Sequence, residues 1–431
     1  MTFRTLSAAL LGALGLSLGL SLALAPAAQA DAIRLRDGKW LPKQLNDLVP
    51  AGQEPDATVL EETRATKITA LGYDSVKLGT QDVPAAQVAE IYVLECLENA
   101  DFQQGQTDGS AGFFAEAADA FARAANTLKG VARQVAINQR AVAVAQLDEI
   151  QQLLPVIEQM SAEFPKAYYL PGLLMRKTRG LLAAGDAAGA QAALEGLIGS
   201  AGLNKRALYA AELARVQLFQ AAGAGKDKAK LATAEQAYRS LLTRIEAESA
   251  AKDEVAGARL GALVGIGRML VFQGDQAKAK PFLQQVIDAP VASDDASMLA
   301  AAYTAFGDVM FSEASAKQAS AGANQAARKE ALDLLEGALL HYLRVTELYG
   351  ERAERGDLYS ARVNAARVFG AMFTLTNDTD CEVARSAYRY YADAYRMLGA
   401  GAERNEVGKQ AQELKGRMDK ACAKPAAAPA K

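Results

Sequence analysis

The sequence LGALVGIGRMLVFQGDQAKAKPFLQQVIDAP, residues Leu260–Pro290, decides the fold of this chain. Small and apolar residues share one helical face on each side of a glycine turn, and a proline ends the segment. These positions are Gly267 and Leu270, the turn Gly274-Asp275, then Ala279, Leu283 and Val286. The pattern predicts two antiparallel helices. The small residues let the helices approach closely, and the large residues fill the groove made by the next pair.

The same arrangement recurs along the chain. Residues 171–199 repeat it around the turn Gly185-Asp186, and a third copy begins at Gly307 and Met310. Further second helices carry small and large residues at the same spacing: Ala117, Phe121 and Ala124; Ala190, Leu194 and Leu197; Ala331, Leu335 and Ala338; Ala387, Tyr391 and Ala394. Two features depart from the pattern. Pro281 falls within a predicted second helix, and Ser315 to Asn324 is expected to lengthen one turn.

Residues 31–93 have a different pattern. Ile33 and Leu35 alternate with arginines as in a half-buried strand, and Asp37-Gly38 is a hairpin-turn signal. Residues 45–58 are expected to form a loop. Strand-like stretches around residues 66–69, 75–78, 83 and 88–93 complete a prediction of four or five short strands in a small barrel-like or curled sheet. A sheet of this size buries little surface, so it is expected to lean on its neighbour.

The recurring small-and-large pattern resembles tetratricopeptide repeats, in about six or seven degenerate copies. A small β segment before such repeats, with RLRDGK at residues 34–39, is similar to exported repeat proteins of some Gram-negative bacteria. The expected fold class is mainly α: an α-solenoid of antiparallel helical hairpins (TPR-like), preceded by a small β domain. The domain limits are 1–30, a cleaved signal peptide; 31–93, the β domain; 95–422, the solenoid; and 423–431, a disordered Ala/Pro tail.

The N-terminus has the features of an export signal. Arg4 precedes an apolar run from Leu6 to Leu24, and Ala28-Gln29-Ala30 is a small-x-small cleavage site. We therefore expect an exported protein of the periplasm or cell envelope; the alternative is an uncleaved membrane anchor. From residue 31 onward no apolar run is long enough to span a bilayer, so no transmembrane segment is expected after cleavage.

The charges are nearly balanced, with 47 Lys and Arg against 50 Asp and Glu, for a net charge of −3. Such a chain has no long-range field that would gather nucleic acid or an anionic membrane. Neither is expected as a partner.

The three cysteines give a specific hypothesis. If residues 380–398 and 402–422 form an antiparallel hairpin, Cys381 and Cys422 lie at the same end of it, because each helical residue rises by about 1.5 Å. An exported chain can then form a Cys381–Cys422 disulfide. The alternative is two reduced cysteines. Cys96 is left over and is expected to be buried at the junction between strands and helices.

Motifs for catalysis, metals and cofactors are weak. Residues 224–227 fail as a phosphate loop, because Gln220 stands where the first Gly should be and Asp227 where Ser or Thr binds the metal. The single histidine, His341, has no second histidine for zinc and is interpreted as structural. Carboxylates alternating with basic residues, as at 351–355, indicate a solvated helix face. No catalytic residue, metal or cofactor is predicted.

Aromatic and basic residues near the C-terminus form a candidate interaction surface. Tyr388, Tyr391 and Tyr395 share one helical face, and Arg385 and Arg389 lie beside them. Tyrosine and arginine are favoured at binding hot spots, whereas the simpler interpretation is that the tyrosines fill the core between the last helices. The same two interpretations apply to Tyr168-Tyr169.

The sequence therefore predicts a non-enzymatic protein–protein interaction scaffold or adaptor. Its partner would be an exported or envelope protein, bound as a peptide or helix on the concave face of the solenoid that first helices line. The alternative is a structural envelope protein that self-assembles and docks through its β domain. A hydrolase hidden in the loops is the third and weakest hypothesis.

Overall fold

A computed structural model describes residues 31–422 except 51–52, 63–66, 148–149, 201, 224–226, 249–251, 290–295, 322–323, 351–354 and 399–400. The predicted export signal and the predicted disordered tail lie outside the described residues. The chain divides into two compact units, one ending at Leu218 and the other beginning at Phe219. This division differs from the change from strands to helices, which occurs near residue 93.

The first unit begins with strands and short helices and continues as paired helices. Its strands are β1 (Ala32–Leu35), β2 (Trp40–Leu41), β3 (Ile68–Leu71), β4 (Ser75–Leu78), β5 (Gln81–Pro84) and β6 (Val88–Tyr92). Its helices are α1 (Leu45–Leu48), α2 (Ala57–Glu62), α3 (Leu94–Glu98), α4 (Ala100–Ser110), α5 (Phe114–Thr127), α6 (Gly130–Ala145), α7 (Ile150–Glu163), α8 (Leu170–Ala183), α9 (Ala187–Ile198) and α10 (Lys205–Gly223), whose last residues belong to the second unit.

The strands form two antiparallel three-stranded sheets, in the orders β2-β1-β6 and β3-β4-β5, rather than the single curled sheet predicted. The Asp37-Gly38 turn lies between β1 and β2 as predicted, with Gly38 at φ 86°. The prediction of a loop over residues 45–58 is wrong in part. Leu45 and Leu60 are fully buried, and packing of these leucines accompanies the short helices α1 and α2.

The sheets share a hydrophobic core with the helices that follow. Ile33, Ile68 and Val76 belong to the same buried cluster as Phe121 and Ile137 of α5 and α6. The β region is therefore packed into the first unit rather than standing beside it, as expected for sheets too small to bury a core of their own.

A buried carboxylate ties the start of the described chain to both sheets. Asp31 is 2 % exposed, and its two oxygens accept hydrogen bonds from the backbone N–H groups of Ile68 (2.7 Å) and Leu94 (3.1 Å). Burial raises the pKa of Asp31, although the two N–H donors act in the opposite direction. The carboxylate thereby links β1, β3 and α3.

The second unit is helical throughout its described residues. Its helices are α11 (Lys228–Ala247), α12 (Lys252–Gln273), α13 (Gln276–Ile287), α14 (Ala296–Ala321), α15 (Gln325–Leu343), α16 (Arg355–Leu375), α17 (Cys381–Met397) and α18 (Ala402–Ala421); a π-helical turn, Arg344–Leu348, extends α15. Successive helices contact one another, and α14 also contacts α12 and α16. The predicted mainly α fold of antiparallel hairpins behind a small β region is confirmed.

Every second helix from α5 to α17 buries three residues at the i, i+4, i+7 spacing, and each of these residues is at most 7 % exposed. The sets, from α5 to α17 in steps of two helices, are Ala117, Phe121, Ala124; Leu153, Ile157, Met160; Ala190, Leu194, Leu197; Ala234, Tyr238, Leu241; Ala279, Leu283, Val286; Ala331, Leu335, Ala338; and Ala387, Tyr391, Ala394. We call them the buried triplets. The sets in α7 and α11 were not predicted from the sequence; the α7 set begins with Leu153 in place of the alanine that leads the other six.

Glycines on neighbouring helices face the large buried residues. A Cβ placed on Gly267 would lie 2.5 Å from Leu283 Cδ2, and one placed on Gly105 would lie 2.8 Å from the Phe121 ring. Real Cβ atoms do not approach this closely, so the helix pairs α12–α13 and α4–α5 pack at a distance that a side chain there would prevent. This is the close approach that the sequence pattern predicts.

Of the two departures from the repeat pattern, the expected long turn is wrong and the proline within a helix is confirmed. Ser315 to Ala321 continue helix α14 instead of lengthening a turn, and Lys317 in this stretch pairs with Glu330 of α15. Pro281 lies inside α13 without ending it, since it stands in the second turn, where its missing N–H removes a single helical hydrogen bond.

Replacing Gly265 with Ala is expected to lower the free energy of unfolding by about 1–2 kcal/mol. The new Cβ would lie 2.4 Å from Cε1 of the buried Tyr238 ring, and overpacking costs about 1–3 kcal/mol. Gly257→Ala is the matched control on the same helix. Its Cβ meets nothing within 4 Å, so it should gain about 0.5–1 kcal/mol. Urea unfolding measures both; an equal stabilisation of the two variants would contradict the packing.

Candidate functional site

The predicted aromatic surface lies on α17, and only some of its residues are exposed in the structure. Tyr388 and Tyr395 are each 37 % exposed, and Arg385 and Arg389 are exposed beside them. Arg404 of α18 lies over the Tyr395 ring, with Cζ 4.2 Å from the ring centroid. Four of the five predicted residues are thus on the surface of one helix.

Tyr391 is the exception and corrects the prediction for that residue. It is 7 % exposed and packs in a cluster with Phe373 and Val407, because Ala387 and Ala394 on either side let α17 lie close to its neighbours. For Tyr391 the core interpretation holds.

The structure brings Cys381 and Cys422 together in a disulfide, with their Cα atoms 5.9 Å apart. Cys381 is the first residue of α17 and Cys422 directly follows α18, so the bond closes the open end of the last hairpin. Cys96 is a free thiol, 1 % exposed, in α3 after the last strand. Burial raises its pKa, which keeps the thiol protonated and unreactive.

The remaining chemical candidates have structural roles. His341 packs against the rings of Tyr303 and Phe306, and burial with the nearby Arg344 lowers its pKa to about 4. Asp227 caps the N-terminus of α11 through the N–H groups of Ala229 and Lys230. The rest of the phosphate-loop candidate, residues 224–226, lies outside the described residues. Among the residues that the structure does describe, no three His, Cys, Asp or Glu side chains converge as metal ligands.

A set of polar residues that sequence reasoning missed lies on three neighbouring helices of the second unit. Arg268 is on α12, Asp308 on α14, and Asn364 and Arg367 on α16. We call these four residues the polar row. The middle helix, α14, contacts both of the others, so the row crosses adjacent helices.

Hydrogen bonds fix the centre of the polar row. Asp308 Oδ1 accepts from the Tyr342 hydroxyl at 2.6 Å and from Asn364 Nδ2 at 2.8 Å. Arg367 in turn donates to Asn364 Oδ1 at 3.1 Å. At one end, Arg268 pairs with the buried Asp357 at 3.4 Å. These contacts hold polar groups of both signs in defined positions.

A glycine contact places Tyr342 where it can reach Asp308. A Cβ on Gly307 would lie 2.7 Å from Tyr342 Cε1, so the fully buried ring occupies the space that Gly307 leaves free. The hydroxyl then meets Asp308, the next residue on α14. The packing of α14 against α15 and the position of the polar row therefore depend on the same glycine.

Burial raises the pKa of Asp308 to about 6, even though the Tyr342 and Asn364 hydrogen bonds and the charges of Arg268 and Arg367 act in the opposite direction. Burial likewise raises the pKa of Tyr342, so the hydroxyl remains a donor. Asp308 is thus an acceptor whose charge changes near neutral pH.

A weak sequence signal for the polar row exists in retrospect. Arg268 and Asp308 each directly follow the glycine that marks close approach, Gly267 and Gly307. Asn364 and Arg367 in α16 do not follow a glycine of this kind, and only the structure shows that they lie near Asp308.

The described residues include one helix segment, Glu254–Gln273, that is long and apolar enough to cross a membrane. Most of this segment is buried within the protein, and it carries Arg268. Burial among neighbouring helices accounts for its apolar character.

No protein-family model and no curated protein matches the sequence. Solved structures do match. A tetratricopeptide repeat protein from Parabacteroides merdae is 11 % identical, over 74 % of this chain and 97 % of that one, with a TM-score of 0.42. BtubC from P. vanneervenii is 13 % identical, over 68 % and 97 %, with a TM-score of 0.36. TPR-like repeats of a putative kinesin light chain from Podosopora anserina are 16 % identical, over 44 % and 93 %, with a TM-score of 0.33.

All three TM-scores lie below 0.5, and the repeat architecture of this chain is established by its own buried triplets. The chain is a helical-hairpin repeat protein whose fold resembles tetratricopeptide repeats.

Replacing Asp308 with Asn is expected to flatten the pH dependence of stability. The folded-state pKa, about 6, lies above the ordinary 3.8, so wild-type stability should fall as pH rises from about 4 to 6 and stay lower above that. The difference is on the order of 3 kcal/mol. Asn keeps an oxygen that accepts from Tyr342 and Asn364.

Urea unfolding at pH 4 and pH 7 measures this effect, with Asp333→Asn, an exposed carboxyl on α15, as the control. The Asp308 variant should gain stability relative to wild type between pH 4 and pH 7, and the control should not. Parallel behaviour of both variants would refute the raised pKa.

Proposed function

We propose that this protein is a non-enzymatic protein–protein interaction scaffold or adaptor, and that the polar row of the second unit contacts its partner. The observation that carries the proposal is the fixed array of Arg268, Asp308, Asn364 and Arg367 on adjacent helices. Their hydrogen bonds hold most of these side chains in place before a partner arrives, which reduces the entropy lost on binding.

The chemistry of the row fits a peptide with acidic groups. Arg367 is exposed, and beyond its hydrogen bonds with Asn364 and Tyr391 it retains donor hydrogens for a carboxylate. Arg268 and Asn364 are half-buried beside it. Backbone carbonyls and carboxylates of an extended segment are the acceptors that guanidinium and amide groups bind.

The polar row offers binding groups rather than a catalytic set. Its side chains are arginine, aspartate and asparagine, with Tyr342 as the donor behind them. None of these residues is a serine, cysteine or histidine that a neighbouring base would activate. The proposal accordingly assigns no reaction to the site.

The proposed location is the periplasm or cell envelope, and the partner is an exported or envelope protein. The predicted cleavage site at Ala28-Gln29-Ala30 supports this, since it follows an apolar run. The Cys381–Cys422 disulfide also supports it, because such bonds persist in oxidising compartments.

Asn364→Ala and Arg367→Ala test the proposal in quantitative affinity purification from envelope extracts. Each variant should lose at least about tenfold in recovery of the partner that wild type enriches, because hot-spot truncations cost 1–2 kcal/mol or more. Arg389→Ala, on the exposed surface of α17, is the control. Equal recovery by all three variants would contradict a role for the polar row.

The control also distinguishes the two candidate surfaces. Loss of the partner with Arg389→Ala alone would assign binding to α17. Light scattering after size-exclusion chromatography addresses the alternative of a self-assembling envelope protein: a stable large homo-assembly, with no partner recovered, would favour that function over the adaptor.

A further inference from the structure

A cavity of about 330 Å³ opens among α11, α12 and Ala289, two residues after the end of α13. It is separate from the polar row: its α12 residues run from Lys252 to Leu260, two turns before Arg268. Its floor consists of Ile245, Val255 and Leu260, each at most 3 % exposed within the protein. The half-buried Ala256 and Ala289 leave the space open, because their side chains are single methyl groups.

Three charged residues, Glu246, Lys252 and Arg259, lie at the entrance of the cavity. Lys252 is exposed and has no ion-pair partner among the described residues. Arg259 has two contacts, both long: 3.5 Å from its Nε to Glu246 Oε1, and 3.4 Å from its Nη2 to Gln285. At these lengths the guanidinium is loosely held, so it can turn toward another acceptor. Two cations and one carboxylate leave the entrance with a net positive charge.

We propose that this cavity binds a single-chain carboxylate amphiphile of about ten carbon atoms. The apolar floor would take the acyl chain, and Lys252 and Arg259 would hold the carboxylate at the entrance. The volume matches this ligand. At about 30 Å³ for each water-sized group, the cavity of about 330 Å³ holds roughly ten methylene-sized groups. A pocket of this size, with mostly apolar walls and a few polar groups at one end, is typical of small-molecule sites.

Calorimetric titration of the purified chain with decanoate tests the proposal, with decanol and octanoate as comparison ligands. Decanoate should bind at one site per chain. Octanoate should bind roughly tenfold more weakly, because each buried methylene contributes about 0.8 kcal/mol. Decanol lacks the carboxylate and should also bind more weakly than decanoate.

Variants test the roles of the cavity floor and of its entrance separately. Ala256→Phe fills the cavity and should abolish binding of both decanoate and decanol; Ala289→Leu is a second filling variant in case the first does not fold, which thermal unfolding reports. Lys252→Gln and Arg259→Gln should weaken decanoate about tenfold or more but leave decanol unchanged. Arg385→Gln, which removes an exposed charge on α17, should change neither.

Three outcomes would overturn the assignment: no saturable heat with decanoate up to millimolar concentration, undiminished binding by a folded cavity-filling variant, or equal affinity for decanoate in wild type and in both entrance variants. The test is independent of the polar row, since Asn364→Ala should bind decanoate as wild type does.

Discussion

The structure depends on the close approach of helices where a glycine on one meets a large buried side chain on the other. Gly105 faces Phe121, Gly265 faces Tyr238, and Gly307 faces Tyr342, each at a distance that a Cβ would block. Close packing gains dispersion energy over many atoms, and a void or an extra methyl group at these points costs energy comparable to a large share of a protein's net stability. The addition of one methyl group at such a glycine therefore decides whether the two helices can pack together.

The same constraint produces the candidate site. The space beside Gly307 admits the ring of Tyr342, whose hydroxyl donates to Asp308; Asp308 orients Asn364, and Asn364 orients Arg367. A packing requirement between α14 and α15 is thus transmitted to an exposed arginine on α16. Polar groups placed by a rigid core lose little freedom on binding, which is why such a row suits recognition.

The sequence predicted those features of the fold that residues close together in the chain determine. The helix pair around Gly274-Asp275, the turn at Asp37-Gly38 and the burial of Cys96 all follow from residues close together in the chain. The sequence did not predict features that depend on contacts between different helices. Residues 315–321 continue α14 past its predicted end, and Lys317 among them pairs with Glu330 of α15. The polar row joins residues almost a hundred positions apart, from Arg268 to Arg367, so no local pattern reveals it.

The link between helix packing and the polar row is tested most directly by the titration of the Asp308 carboxyl carbon, followed by NMR in wild type and in Gly307→Ala. Wild type should titrate near pH 6, as burial of the carboxyl requires. In the variant the new methyl group displaces Tyr342, so water should reach the carboxyl and its pKa should move toward the ordinary 3.8. Identical titration curves in the two proteins would contradict the account.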